Sequence, residues 1–82
     1  MPWKDVVWNY EEAGNVEHIA DNGLSVADVE HVLMYPAKHA RSRSSGRPIV
    51  FGITERGESI CVVYEEIDDV TVYPITAYIL ED

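Results

Sequence analysis

The sequence predicts an α+β domain, with two N-terminal helices packed on a small antiparallel sheet. Three observations point to it. Apolar residues recur at helical spacing only within the first 36 positions. From residue 48 onward they alternate or cluster in short runs separated by turn residues, as in strands joined by hairpins. The chain has 82 residues and is 46% hydrophobic, which suits one core and a single domain, 1–82.

The elements follow in order. Residues 3–9, Trp-Lys-Asp-Val-Val-Trp-Asn, read as a short strand. Asn9 is placed to cap a helix over 10–21. Glu11, Asn15, His18 and Asn22 form its polar face, and Val16, Ile19 and Ala20 its inner stripe. Asn22-Gly23 ends it, with Gly23 suited to a left-handed position. Ser25 and Asp28 have the spacing of a capping box at the start of a second helix. Val26, Val29, Val32 and Leu33 point inward, and Tyr35-Pro36 stops the helix.

Residues 37–47 read as a basic loop. Ile49, Phe51 and Ile53 alternate with Val50, Gly52 and Thr54 in a strand, closed by a turn at 55–58. Residues 59–65 are apolar on both faces, which suits a central strand. After a turn at 66–69, residues 70–80 form a strand containing Pro74. Proline donates no ladder hydrogen bond, so this strand lies at an edge or is bulged there. The expected order is one short strand, two helices and three strands.

Charge is distributed unevenly. The segment Lys38-His39-Ala40-Arg41-Ser42-Arg43-Ser44-Ser45-Gly46-Arg47 holds four of the six Lys and Arg and none of the fifteen Asp and Glu. It is +4 and the remainder is 2 − 15 = −13, which sums to −9. A cationic loop rich in Ser and Gly on an acidic body suits an anion, above all phosphate. Lys38, His39, Arg41 and Arg43 are the candidate phosphate-binding residues; the plainer reading is a solvated loop that offsets the acidic body. Arg47 enters a strand immediately before Pro48, so its position is fixed by structure. Arginine forks pair bidentately with phosphate oxygens.

His18, on a polar helix face, is the candidate acid/base group; the plainer reading is a surface histidine. His31 is placed to pair with Asp28 at i,i+3. Tyr64 is expected to pack, while Tyr73 and Tyr78 stay open between packing and contact with a ligand.

Several classes are excluded. No phosphate-loop glycine pattern, His-Glu-x-x-His or Cys-x-x-Cys spacing, or Gly-x-Ser-x-Gly elbow occurs. No metal and no cofactor are expected. The lone Cys61 sits within Ile60-Cys61-Val62-Val63-Tyr64 and reads as a buried, reduced thiol. That run is far short of the ~18 residues of a membrane span, and the N-terminus has no signal-like apolar stretch. A cytoplasmic protein without a membrane partner is the expectation.

Trp8-Asn9, Asn15, Asn22-Gly23-Leu24-Ser25-Val26, Val32-Leu33 and Pro36 together resemble the N-terminal half of BrnT-type toxins, of the broad RelE/ParE-like group. Arg47 and Gly52, Arg56-Gly57 through Val62-Val63-Tyr64, and Ile75-Thr76-Ala77 are similar to its second half. The likeness spans about residues 8–78. It implies a toxin of a type II toxin-antitoxin system: a metal-independent endoribonuclease whose partner is a cognate antitoxin that also represses transcription. The resemblance makes Arg47 a phosphate or transition-state contact.

The chain departs from the family pattern at three places. Asp21-Asn22 stands where the family has Lys-His, Tyr78 where it has Arg, and Ile79-Leu80-Glu81-Asp82 where it has a basic tail. The leading expectation is RNA cleavage by 2′-hydroxyl attack, with Arg47 and Arg43 on the phosphate and His18 as base. The alternative is a catalytically inactive interaction module of the same fold, whose acidic body binds a basic partner or a second copy. A third is RNA binding without cleavage.

Overall fold

In the computed structural model, which describes residues 5–43 and 46–80, two helices cover one face of a five-stranded sheet. The elements are β1 (Asp5–Val6), α1 (Asn15–Asp21), α2 (Val26–Met34), β2 (Lys38–Arg41), β3 (Pro48–Ile53), β4 (Ser59–Glu66) and β5 (Thr71–Ile79). The sheet order is β1-β5-β4-β3-β2. β2 through β5 form an antiparallel meander, and β1 adds parallel to β5. The fold class stands as α+β, but the sheet has one strand more than the sequence suggested. β1 is also shorter than the stretch read as 3–9, of which residues 3 and 4 lie outside the described residues. No described helix is long and apolar enough to cross a membrane.

The first helix starts five residues later than Asn9 suggested. Asn9 accepts the Glu11 N–H on its side-chain oxygen at 2.9 Å. That local bond favours a turn over a helix. The Gly14 N–H returns to the Glu11 carbonyl at 2.9 Å, and Ala13 takes a left-handed φ of 62°. Gly14 then serves as N-cap. A Cβ there would lie 2.4 Å from the Asn9 carbonyl oxygen, so only glycine fits.

Asn15 falls on the polar face by helical spacing, yet it is buried. Its amide donates to the carbonyls of Val7 at 3.0 Å and Pro74 at 2.8 Å. Its side-chain oxygen accepts the Asn9 N–H at 2.7 Å. Three backbone groups that no helix or strand satisfies thereby find partners. Ile19 is buried as expected, but Ala20 is exposed.

The second helix matches its signals. Ser25 and Asp28 form the reciprocal capping box, at 3.3 Å and 3.0 Å. Val29, Val32 and Leu33 are buried, and the helix ends at Met34 with Tyr35 as C-cap. His31 does not pair with Asp28. It packs on Tyr35 at 5.2 Å between ring centres, because the Asp28 carboxylate faces the cap and Arg56, at 2.6 Å.

Ile19, Leu24, Val29, Val32 and Leu33 meet Val50, Ile60, Val62, Tyr64, Val72 and Ala77 in the core. β4 occupies the middle of the sheet, as its two apolar faces required. β5 is an inner strand, so Pro74 is accommodated by irregularity rather than at an edge. The register shifts between Val63, opposite Thr76, and Tyr64, opposite Pro74. The displaced Pro74 carbonyl is the one to which the Asn15 amide donates.

Candidate functional site

The segment read as a basic loop over 37–47 is a hairpin. Lys38 to Arg41 pair in register with Phe51 to Pro48. The Ser42 N–H donates to the Arg47 carbonyl at 2.8 Å, and the Gly46 N–H to the Ser42 carbonyl at 2.8 Å. Gly46 sits at φ +71°, a conformation that costs glycine little. Ser44 and Ser45 lie outside the described residues. A run of Lys, His and Arg has weak intrinsic strand preference, but an edge position favours charged side chains, and the ladder with β3 decides the outcome.

The hairpin brings Lys38, His39, Arg41, Arg43 and Arg47 together, all exposed. Alternation sorts them by face. His39 lies opposite Val50, a core residue, so His39 and Arg41 share the helix side at the sheet edge. Lys38, opposite Phe51, lies on the other side. The same alternation, continued one residue before β3, places Arg47 there too. Arg41 is anchored by a bond from its guanidinium to the Gly46 carbonyl at 3.1 Å.

His18 is exposed in the last turn of α1. That helix packs on β5, two strand spacings, ~10 Å, from β3. Arg47 belongs to the opposite side of the sheet by alternation. The structure therefore does not bring His18 and Arg47 to a common phosphate.

The neighbouring turn has the opposite sign. Glu65, Glu66, Asp68 and Asp69 are exposed at the β4–β5 connection. The antiparallel pairing of β3 with β4 puts both turns at the same end of the sheet. That end of the sheet is therefore positive on the β2 side and negative on the β5 side.

Tyr64 is buried, as its packing role required. Burial raises its phenol above the usual value; the Glu66 charge adds to this, and Arg41 opposes it. Sequence reasoning did not single out Arg56, which pairs with Asp28 at 2.6 Å and Glu58 at 2.8 Å. It ties the β3–β4 turn to the start of α2. Its isolation from the other cations was the available signal.

Cys61 is a buried free thiol. Burial pushes it up, and a hydrogen bond with Tyr78 partly offsets that. The same bond, then the Cys61 charge and burial, raises Tyr78. For all three groups the folded state prefers the protonated form. Their stabilisation is complete below the ordinary values, 9.0 for the thiol and 10.0 for the phenols, and is lost as pH rises through the raised ones. The thermal midpoint should hold from about pH 7 to about pH 9 and fall above that. Calorimetry across this range checks it, and a midpoint that rises above pH ~9 contradicts it.

No protein-family model, curated protein or solved structure matches the chain.

Proposed function

We propose that the chain is a toxin-like protein of the BrnT/RelE type that grips RNA through the hairpin of β2 and β3. One observation carries this reading. Four of six Lys and Arg occupy one exposed hairpin of an otherwise acidic molecule. Arg41, Arg43 and Arg47 suit phosphate oxygens, and Gly46 leaves room for close approach.

Cleavage without metal needs a base on the 2′-hydroxyl and cations on the phosphate. Among the histidines, His39 shares the helix side of the hairpin with Arg41 and is better placed than His18 to take the proton, with Arg41 rather than Arg47 as its partner on the phosphate. The partner in this reading is a cognate antitoxin.

The test is RNA binding and cleavage by wild type, Arg47→Ala, His39→Ala and His18→Ala. Four engaged cations predict a log–log salt slope of about −3 on single strands. Arg47→Ala should weaken binding roughly 10-fold and flatten the slope by about 0.7. Absence of cleavage at high protein concentration, with no growth inhibition on expression, removes the enzyme and leaves an RNA binder. Absence of salt-dependent binding removes the whole reading.

A further inference from the structure

The sheet has a second face, on which no described helix lies. Its side chains form rows across the strands: Lys38, Phe51, Cys61 and Tyr78 in one, Ala40, Ile49, Val63 and Thr76 in the next. Cys61 is already buried, but Ile53 is 55% and Tyr78 43% exposed. The centre is apolar and the rim polar, the anatomy of a protein interface.

Among the described residues, the charges on this face cancel. Asp5 lies opposite Thr71 and Glu65 opposite Tyr73, both positions alternating with the core residue Val72. Lys38 and, by continued alternation, Arg47 balance them. The patch is therefore neutral on a chain of net charge −9. It has no sign with which to select a polyanion or a strongly basic protein.

We propose that this face joins two copies of the chain in an isologous dimer. Lys38 on β2 and Asp5 on β1 occupy diagonally opposite corners. A two-fold axis between the sheets, perpendicular to that diagonal, exchanges them and sets each Lys38 over the other copy's Asp5. The strands of the two sheets then cross at a steep angle, one of the two ways in which sheets pack.

The area suffices. The accessible surface is 5215 Å² on a body of 32 × 28 × 26 Å. One face is about a sixth of that surface, roughly 870 Å², against the ~800 Å² per partner of a stable interface. The dimer engages Lys38 and carries Arg47 on its face, two cations of the RNA reading, and leaves Arg41, Arg43 and the hairpin turn outside it; sedimentation without RNA reads it separately.

Sedimentation equilibrium of the full chain tests it. The expected species has twice the 9.3 kDa chain mass. Raising the salt concentration should strengthen the dimer, because relief of the repulsion between two bodies of net charge −9 outweighs the screening of two exposed Lys38–Asp5 pairs at the rim. Ile53→Glu and Tyr78→Glu, at exposed positions, should each weaken association at least ~10-fold with circular dichroism unchanged. Lys38→Glu and Asp5→Lys should each weaken it, and the double reversal should restore it. A monomer at roughly 0.5 mM overturns the proposal, as does a dimer indifferent to both glutamate substitutions. So does protection of Tyr78 by single-stranded RNA, or by a basic protein, in a chain that stays monomeric.

Discussion

Asn15→Ala should destabilise the fold by about 3 kcal/mol, because it leaves buried backbone groups without partners. The Asn15 amide serves Val7 and Pro74, and its oxygen serves the Asn9 N–H. Pro74 is buried, so water cannot replace the lost donor there. Each stranded group costs about 1–3 kcal/mol, less where water reaches it. The change also uncouples three pieces of the molecule: the entry to α1, the segment after β1, and the bulge in β5. Asn15→Asp is expected to be at least as harmful at neutral pH. It keeps the acceptor but turns an oxygen toward two carbonyls. Urea unfolding of the three proteins checks this. An alanine variant within about 0.5 kcal/mol of wild type would show that the network contributes little.

The second large effect concerns the contact between α2 and β3. A Cβ added at Gly52 would lie 2.7 Å from Cγ1 of Val32 and 3.3 Å from its Cγ2. Val32 is fully buried. A β-branched side chain in a helix has one strongly preferred rotamer, so it cannot swing aside. Gly52→Ala must therefore push the helix off the sheet, at a cost of about 2 kcal/mol. Val32→Ala alone opens a cavity and costs about 1–3 kcal/mol. Combined, the two changes should recover about 1 kcal/mol or more relative to their sum, since the new methyl fills the space vacated. A double-mutant cycle in denaturant measures that coupling. Strict additivity would mean that the helix is not seated on Gly52.

Much of this was legible because the signals were local. The Ser25–Asp28 capping box, the stop at Tyr35-Pro36, the turn at Gly57 and the central position of β4 each depend on side-chain chemistry within a few residues. Pro74 announced that the last strand was an edge or bulged, and the fold selects the bulge.

The failures share a cause as well. Asn15 looked like a surface residue because its partners at Val7 and Pro74 are remote along the chain or lie outside any regular element. The hairpin at 38–47 looked like a loop because its strand is specified by pairing with β3 rather than by its own composition. Asn9 looked like a helix cap because a cap and an Asx turn use the same side-chain oxygen.

The candidate site divides in the same way. The cationic segment was visible from charge counting alone, and the structure keeps Lys38, His39, Arg41, Arg43 and Arg47 exposed on one hairpin. The link from Arg47 to His18 was not decidable in one dimension. It depended on which strand α1 packs against and which face residue 47 takes.

The sequence by itself determined the α+β class, the second helix with its cap, the central strand and the concentration of cations in ten residues. Local hydrogen bonding, hydrophobic period and net charge need no knowledge of distant contacts. Only the tertiary structure decided the sheet order, the fifth strand, the burial of Asn15 and the neutral, uncovered face. Each of these follows from which strands pair and in what register. A shift of one residue in that register would exchange the two faces of a strand.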